Sequence, residues 1–155
     1  SSEEWDHTYS VNVKSTWLLS KVLLPALEAA DADWSSIVAV SSIHAVTTSN
    51  GLSAYASSKA ALVGLVRSLA IELAGFSVRV NALIPGAVNT PMLTDHLTAA
   101  QIDKLASRQL IKRIAAPKEV AEVIEFLLTD KSSFITGQQV IVDGGVQMLL
   151  ATEVD

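Results

Sequence analysis

A chain of 155 residues suffices for one domain with its own core, and a composition half hydrophobic and only 17% charged excludes a disordered segment. The net charge of −5, without a basic cluster, argues against a nucleic-acid surface. The lack of cysteine excludes disulfides and thiolate metal sites and is compatible with a reducing compartment.

No apolar run approaches the length of a membrane span, and the acidic start, Ser-Ser-Glu-Glu-Trp-Asp, lacks the order of a signal peptide. The apolar composition predicts an interface or a missing partner segment. Ser1 with Glu4 three residues later is a capping-box pattern and predicts a helix running to about Ala30. Trp5, Tyr9, Val13 and Trp17 step by four along one stripe, which Leu18, Val22 and Leu23 broaden. Asn12 sits among them, and Pro25 is expected to bend the later turns. The stripe aromatics Trp5, Tyr9 and Trp17 fit core or interface better than ligand stacking.

After a turn from Asp31 to Trp34, Ser36 to Ser41 is predicted as a strand whose continuous apolar character fits a parallel sheet covered on both faces. A second long helix is expected from about Ala54 to Ala74, with Gly75 as its C-cap. Ala60, Ala61 and Gly64 on it predict a tightly packed or intersubunit face. Ser77 to Ile84 is a second strand, stopped by Pro85-Gly86. Residues 87–116 are expected as a loop with short helices at Thr94 to Leu97 and Ala99 to Leu110, where a substrate lid would sit. Pro117 opens a third helix, with Val120, Val123, Ile124, Leu127 and Leu128 at helical spacing. Thr136-Gly137 leads into a third strand, Gln139 to Val142, closed by an Asp143-Gly144-Gly145 turn. The tail from Val146 to Asp155 carries no clear pattern. Alternating helices and strands over residues 1–155 predict a single α/β domain with a parallel sheet of about three strands.

The chemistry gathers in one stretch, Ser42 to Lys59. Tyr55 and Lys59 lie four apart on the first turns of the second helix, so they share a face. A phenol is a poor acid or base near neutrality, because its free pKa is about 10, and a neighbouring cation favours the phenolate. Ser42 falls just past a strand's carboxyl end, as do Pro85 and Gly86, and ligands of open α/β sheets bind at that edge. The arrangement points to proton transfer at a substrate oxygen.

An ordered motif set then carries a resemblance. It comprises Val11-Asn12-Val13, Val40-Ser41-Ser42, Tyr55-x-x-x-Lys59, Val80-Asn81-x-x-x-Pro85-Gly86-x-x-x-Thr90 and Thr136-Gly137-x-x-x-x-x-Asp143-Gly144-Gly145. A Tyr-x-x-x-Lys by itself is weak; the set in this order and spacing is specific. From about Ser2 to Gly145 the chain resembles the C-terminal part of a short-chain dehydrogenase/reductase. The resemblance implies a partial Rossmann-type doubly wound sheet and an oxidoreductase moving hydride between NAD or NADP and a carbonyl or alcohol. Tyr55 would be the general acid/base. Lys59 would lower the Tyr55 pKa and hold the nicotinamide ribose. Ser42 would steady the substrate oxygen. Asn12 would hold a relay water, and Pro85, Gly86, Val88 and Thr90 would line the nicotinamide. The resemblance further implies a cytoplasmic homo-oligomer, dimer or tetramer, paired through the two long helices in the full-length form.

The family's glycine-rich phosphate loop and Asn-Asn-Ala-Gly segment do not occur here. Residues 1–155 are therefore expected to be a fragment lacking the cofactor-binding half, with Ser36 to Ser41 exposing the edge where a fourth strand would pair. Several residues have plainer readings: Ser42 or Ser41 as a strand-ending cap, Asn12 as a helix-interior hydrogen-bonding residue, and Thr90 as the cap of the helix after Pro91. His44 fits a solvated loop histidine or a pocket-lining one; His7 and His96 have no partners, and no metal site is predicted. The alternative function is a truncated, non-catalytic oligomerisation module. A hydrolytic reading of Ser42 is poor, because no Gly-x-Ser-x-Gly elbow surrounds it.

Overall fold

The computed structural model describes residues 1–30 and 32–148. Three parallel strands, β1 (Ser35–Val40), β2 (Val78–Pro85) and β3 (Gln139–Val142), form a sheet in the order β1-β2-β3. The register sets Ile37 against Val80 and Leu83 against Val140. In β2 the side chains alternate faces, as a pleated strand requires. Val78, Val80, Ala82 and Ile84 pack under Leu62, Val63, Val66 and Leu69 of α3 (Ser53–Glu72). Leu83 faces the other way, toward Val120 and Leu127 of α6 (Pro117–Leu128). Helices thus cover both faces, and the buried central strand explains its near-continuous apolar run.

Two polar residues of β2 are also buried, Arg79 and Asn81. The Arg79 guanidinium donates to the carbonyls of Leu127, Thr129 and Ile135 and to the Ser132 hydroxyl. These acceptors lie at and beyond the C-terminus of α6, where the helix dipole favours a cation. Asn81 donates to the Ile135 carbonyl and accepts from the Gln138 N–H. Together they fasten the α6–β3 connection to β2.

The first helix departs from expectation. It divides into α1 (Ser2–Tyr9), a π-helical turn (Ser10–Lys14) and α2 (Ser15–Glu28). The capping box is present, with the Ser1 hydroxyl accepting from Glu4 N–H. Pro25 does not interrupt α2, which continues past it to Glu28; the irregularity is at Asn12 instead, where the Ser15 N–H reaches back five residues to the Ser10 carbonyl. Trp5 and Trp17 are exposed rather than core, as are Leu18, Leu19, Val22 and Leu23. On α3, Ala60 and Gly64 face solvent, and nothing lies within 4 Å of a Cβ built on Gly64.

Gly75 is not the C-cap of α3. The chain leaves through a 3-10 turn, Ala74–Phe76, and its left-handed residue is Ser77, φ 55°. The Ser77 carbonyl accepts from Ser35 N–H at 2.9 Å, so entry into the sheet fixes the turn two residues later. A non-glycine residue in this region costs roughly 1–2 kcal/mol.

Residues 87–116 carry α4 (Pro91–Thr94) and α5 (Ala99–Ser107). The first short helix starts one turn earlier than expected, because Pro91 supplies the N1 position. Both ends of the excursion meet: Ala115 N–H donates to Ala87, and Asn89 N–H donates to Ala115, each at 2.9 Å. Glu119 then caps α6, accepting from both terminal nitrogens of Arg113 and from Ala116 N–H. Those bonds, the guanidinium's first, hold its carboxyl down at about 2. Strand β1 has β2 as its only strand neighbour among the described residues. Residues 149–155 of the tail lie outside the described residues, while Val146–Met148 forms a single 3-10 turn.

Candidate active site

The end of β1 carries two serines with different tasks. The Ser41 hydroxyl donates to the Lys59 carbonyl at 2.9 Å and ties the strand to α3. Ser42 has extended backbone, and its Oγ accepts from His44 N–H at 3.2 Å, capping a short 3-10 turn. The plain capping reading of Ser42 is therefore part of its role. The cap uses only a lone pair, and the Ser42 O–H has no acceptor among the described residues.

Helix α3 opens with Ser53, so Tyr55 and Lys59 stand one turn apart. The Lys59 ammonium lies 5.7 Å from the Tyr55 ring centroid and donates to the Val40 carbonyl at 3.1 Å. It has no carboxylate partner among the described residues. Burial pushes its pKa below the usual lysine value. The His44 ring meets Tyr55 edge-on, with centroids 5.9 Å apart and planes at 71°. His44 Nδ1 is 3.3 Å from the Thr48 hydroxyl, and burial lowers its pKa.

Asn12 approaches this helix through the π turn. Its amide donates to the Ser58 hydroxyl at 2.9 Å, and that hydroxyl donates to the Tyr55 carbonyl at 2.7 Å. Asn12 is thus joined to the backbone of the Tyr55 turn, and the structure records no direct bond to Lys59. Ser58 is fully buried and was missed by sequence reasoning. Within Ala-Ser-Ser-Lys, a serine that pins two elements looks the same as a small packing residue. His44 gave only its nearness to Ser42 as a signal.

The end of β2 is shaped by closeness. A Cβ on Gly86 would lie 2.7 Å from the Asp143 Cα, so only glycine lets these backbones meet, and Gly86 N–H donates to the Val142 carbonyl. Val88 bridges to Ala115. Thr90 occupies the N-cap of α4 without a side-chain cap bond; its hydroxyl makes only a 3.4 Å contact to the Val88 carbonyl. Asp143 accepts from Gly145 and Gln147 N–H groups. Gly144 and Gly145 have positive φ, and a Cβ on either would strike Gln109 or Leu110. The expected turn is there, and it also seats Gln109 and Leu110, just past the end of α5. Because Ser41 N–H bonds to the Leu83 carbonyl, Ser42 and Pro85 fall at the same edge of the sheet.

Comparison with known proteins agrees with this architecture. Residues 1–147 match the family profile described as enoyl-(acyl carrier protein) reductase. The chain is 39% identical over 144 residues to the 3-oxoacyl-(acyl-carrier-protein) reductase FabG of Thermotoga maritima, covering 93% of this chain and 57% of that protein. It is 42% identical over 146 residues to dehydrogenase/reductase SDR family member 4 of Bos taurus, covering 92% and 51%. Among solved structures, 4-hydroxyisoleucine dehydrogenase complexed with NADH superposes with TM-score 0.89 at 26% identity, over 97% of this chain and 62% of that one. Ligand-free aldohexose dehydrogenase of Thermoplasma acidophilum also gives TM-score 0.89, at 29% identity, over 100% and 64%. The chain spans between half and three-fifths of the length of these curated relatives. With a profile match over nearly its whole length and a fold shared with these enzymes, the chain belongs to the short-chain dehydrogenase/reductase family.

Proposed function

We propose that this chain carries the proton-transfer half of an NAD(P)-dependent oxidoreductase acting on a carbonyl/alcohol pair. The observation that carries the reading is the joint placement of Ser42, Tyr55 and Lys59. A hydroxyl with a free donor, a phenol and a partly buried ammonium without a carboxylate meet at the strand edge where ligands bind. Tyr55 passes a proton to or from the substrate oxygen. Lys59 stabilises negative charge on that phenol, and Ser42 donates a hydrogen bond to the same oxygen. Asn12 holds the Tyr55 turn through Ser58.

The residues present fit the nicotinamide end of the cofactor. The Thr90 hydroxyl lacks a cap bond, Val88 N–H has no acceptor among the described residues, and Pro85-Gly86 borders them. Val88 and Thr90 would meet the carboxamide, and Lys59 and Tyr55 the ribose. A bound nicotinamide supplies the carbon that gives or takes hydride. Residues 87–116 close over the substrate as a lid hinged at Ala87 and Ala115.

Alcohol-dependent NAD or NADP reduction by the purified chain, lost in Tyr55→Phe, is the expected result. Unchanged turnover in that variant would refute the acid/base assignment.

A second reading, a non-catalytic association module, draws on the exposed apolar face of α2 and the open Ala60–Gly64 stripe of α3. Pairing through these two long helices fits either reading and predicts a dimer or tetramer by sedimentation. Calorimetry with NADH and NADPH separates them: micromolar binding favours the enzyme, and its absence favours the module.

A further inference from the structure

We propose that His44 is a positioning residue for Tyr55, its imidazole bracing the phenol ring from the turn after β1. The proposal rests on the assignment of Tyr55 as the acid/base and extends it to a residue outside the Ser42–Tyr55–Lys59 set.

Tyr55 has two ring neighbours of different kinds. Lys59, on its own helix, sets a cation 5.7 Å from the ring centroid. His44, from the turn after β1, sets a ring 5.9 Å away at 71°, the edge-to-face geometry aromatic rings prefer. His44 is itself held twice. Its N–H bonds to Ser42 Oγ at 3.2 Å, and its Nδ1 lies 3.3 Å from the Thr48 hydroxyl. One residue therefore touches both groups proposed to meet the substrate oxygen, through its backbone on Ser42 and its ring on Tyr55.

A tyrosine near the start of a helix has a free χ1 unless something packs against it. The reacting phenol must be held within a few tenths of an ångström for efficient proton transfer. The imidazole supplies that packing from a separate element. Burial favours its neutral form, so the brace adds no fixed charge beside Lys59.

The test uses the whole chain with ring-carbon-labelled tyrosine. There are two tyrosines, and Tyr9, stacked on Trp5 at 5.1 Å, is an internal reference for folding. In His44→Ala the Tyr55 ring resonances are expected to move toward those of free tyrosine while Tyr9 stays fixed. His44→Phe, which restores an aromatic edge, should return them. The backbone bond to Ser42 survives both changes, so the readout isolates the ring. Should His44→Ala also displace Tyr9, Thr48→Val decides instead: it releases the imidazole alone, and a shifted Tyr55 signal is expected. Unmoved Tyr55 resonances in the deciding variant would overturn the brace.

Turnover is measured on the same samples. His44→Ala should lower kcat about tenfold with KM little changed, and His44→Phe should recover it. A displaced Tyr55 with unchanged kcat would overturn the positioning role. A wild-type chain with no turnover at all would sink the proposed activity of the chain, while the resonance measurement would still decide the brace.

Discussion

The two strand ends that form the candidate site are built by opposite means. At the end of β1 the candidate residues are placed by polar side chains reaching between elements, Ser41 to Lys59, Lys59 to Val40 and Asn12 to Ser58, whose hydroxyl then bonds to Tyr55 within α3. At the end of β2 placement depends on missing side chains. Gly86, Gly144 and Gly145 let the backbone close upon Asp143, Gln109 and Leu110. The first edge is therefore expected to tolerate small changes of volume but not of hydrogen-bonding pattern. The second is expected to show the reverse.

Four changes break or sharpen this contrast. Tyr55→Phe should have the largest effect, lowering kcat by about 10²–10⁴ because it removes the transferred proton, with the unfolding midpoint unaltered. Steady-state kinetics beside a urea titration checks both halves. Gly86→Val puts a branched side chain where even a Cβ lies 2.7 Å from the Asp143 Cα. Its expected loss is about 1–3 kcal/mol or more of unfolding free energy, read from the urea midpoint. A wild-type midpoint there would mean that the two backbones separate freely.

Ser58→Ala should lose roughly 1–3 kcal/mol, since it leaves the Asn12 amide without its buried partner. Ser58→Gly, equally unable to accept, should not rescue it. The smallest effect belongs to Glu119, outside both edges. Its carboxyl titrates at about 2 in the fold, below its ordinary value of 4.5. A depressed carboxylate adds stability that is fully present above pH 4.5 and is lost as pH falls toward 2. The difference in thermal midpoint between wild type and Glu119→Gln should therefore be constant near neutrality and vanish across that interval. A difference that persists at pH 2 would point to packing rather than charge.

The architecture was legible in the sequence wherever periodicity determines structure. The apolar runs 36–41 and 77–84 located β1 and β2 to within a residue, and Pro117 located the start of α6. The candidate site drew notice in the sequence because a phenol and an ammonium four apart are unusual beside a strand-ending serine. Less legible were features that depend on partners distant in sequence. A stripe stepping by four from Trp5 to Trp17 does not reveal the extra residue in the hydrogen-bond ladder around Asn12, because side-chain spacing reports the face and not the ladder. Gly75 carried the composition of a cap, yet pairing with Ser35 moved the left-handed turn to Ser77. The bonds of Ser58 and the packing of His44 on Tyr55 exist only once the π turn, α3 and the turn after β1 are brought together.

Arg79 gives the far side of the sheet a property that neither site edge has. Each acceptor around its guanidinium is a carbonyl or a hydroxyl, and none of these takes up a proton between pH 2 and 10. Acid that dissolves the Arg113–Glu119 pair at the mouth of α6 leaves this clamp at the helix's other end untouched. The segment leading to β3 is thus tied to β2 by a clamp without an acidic partner, so acidification should loosen the end of residues 87–116 before it frees the third strand.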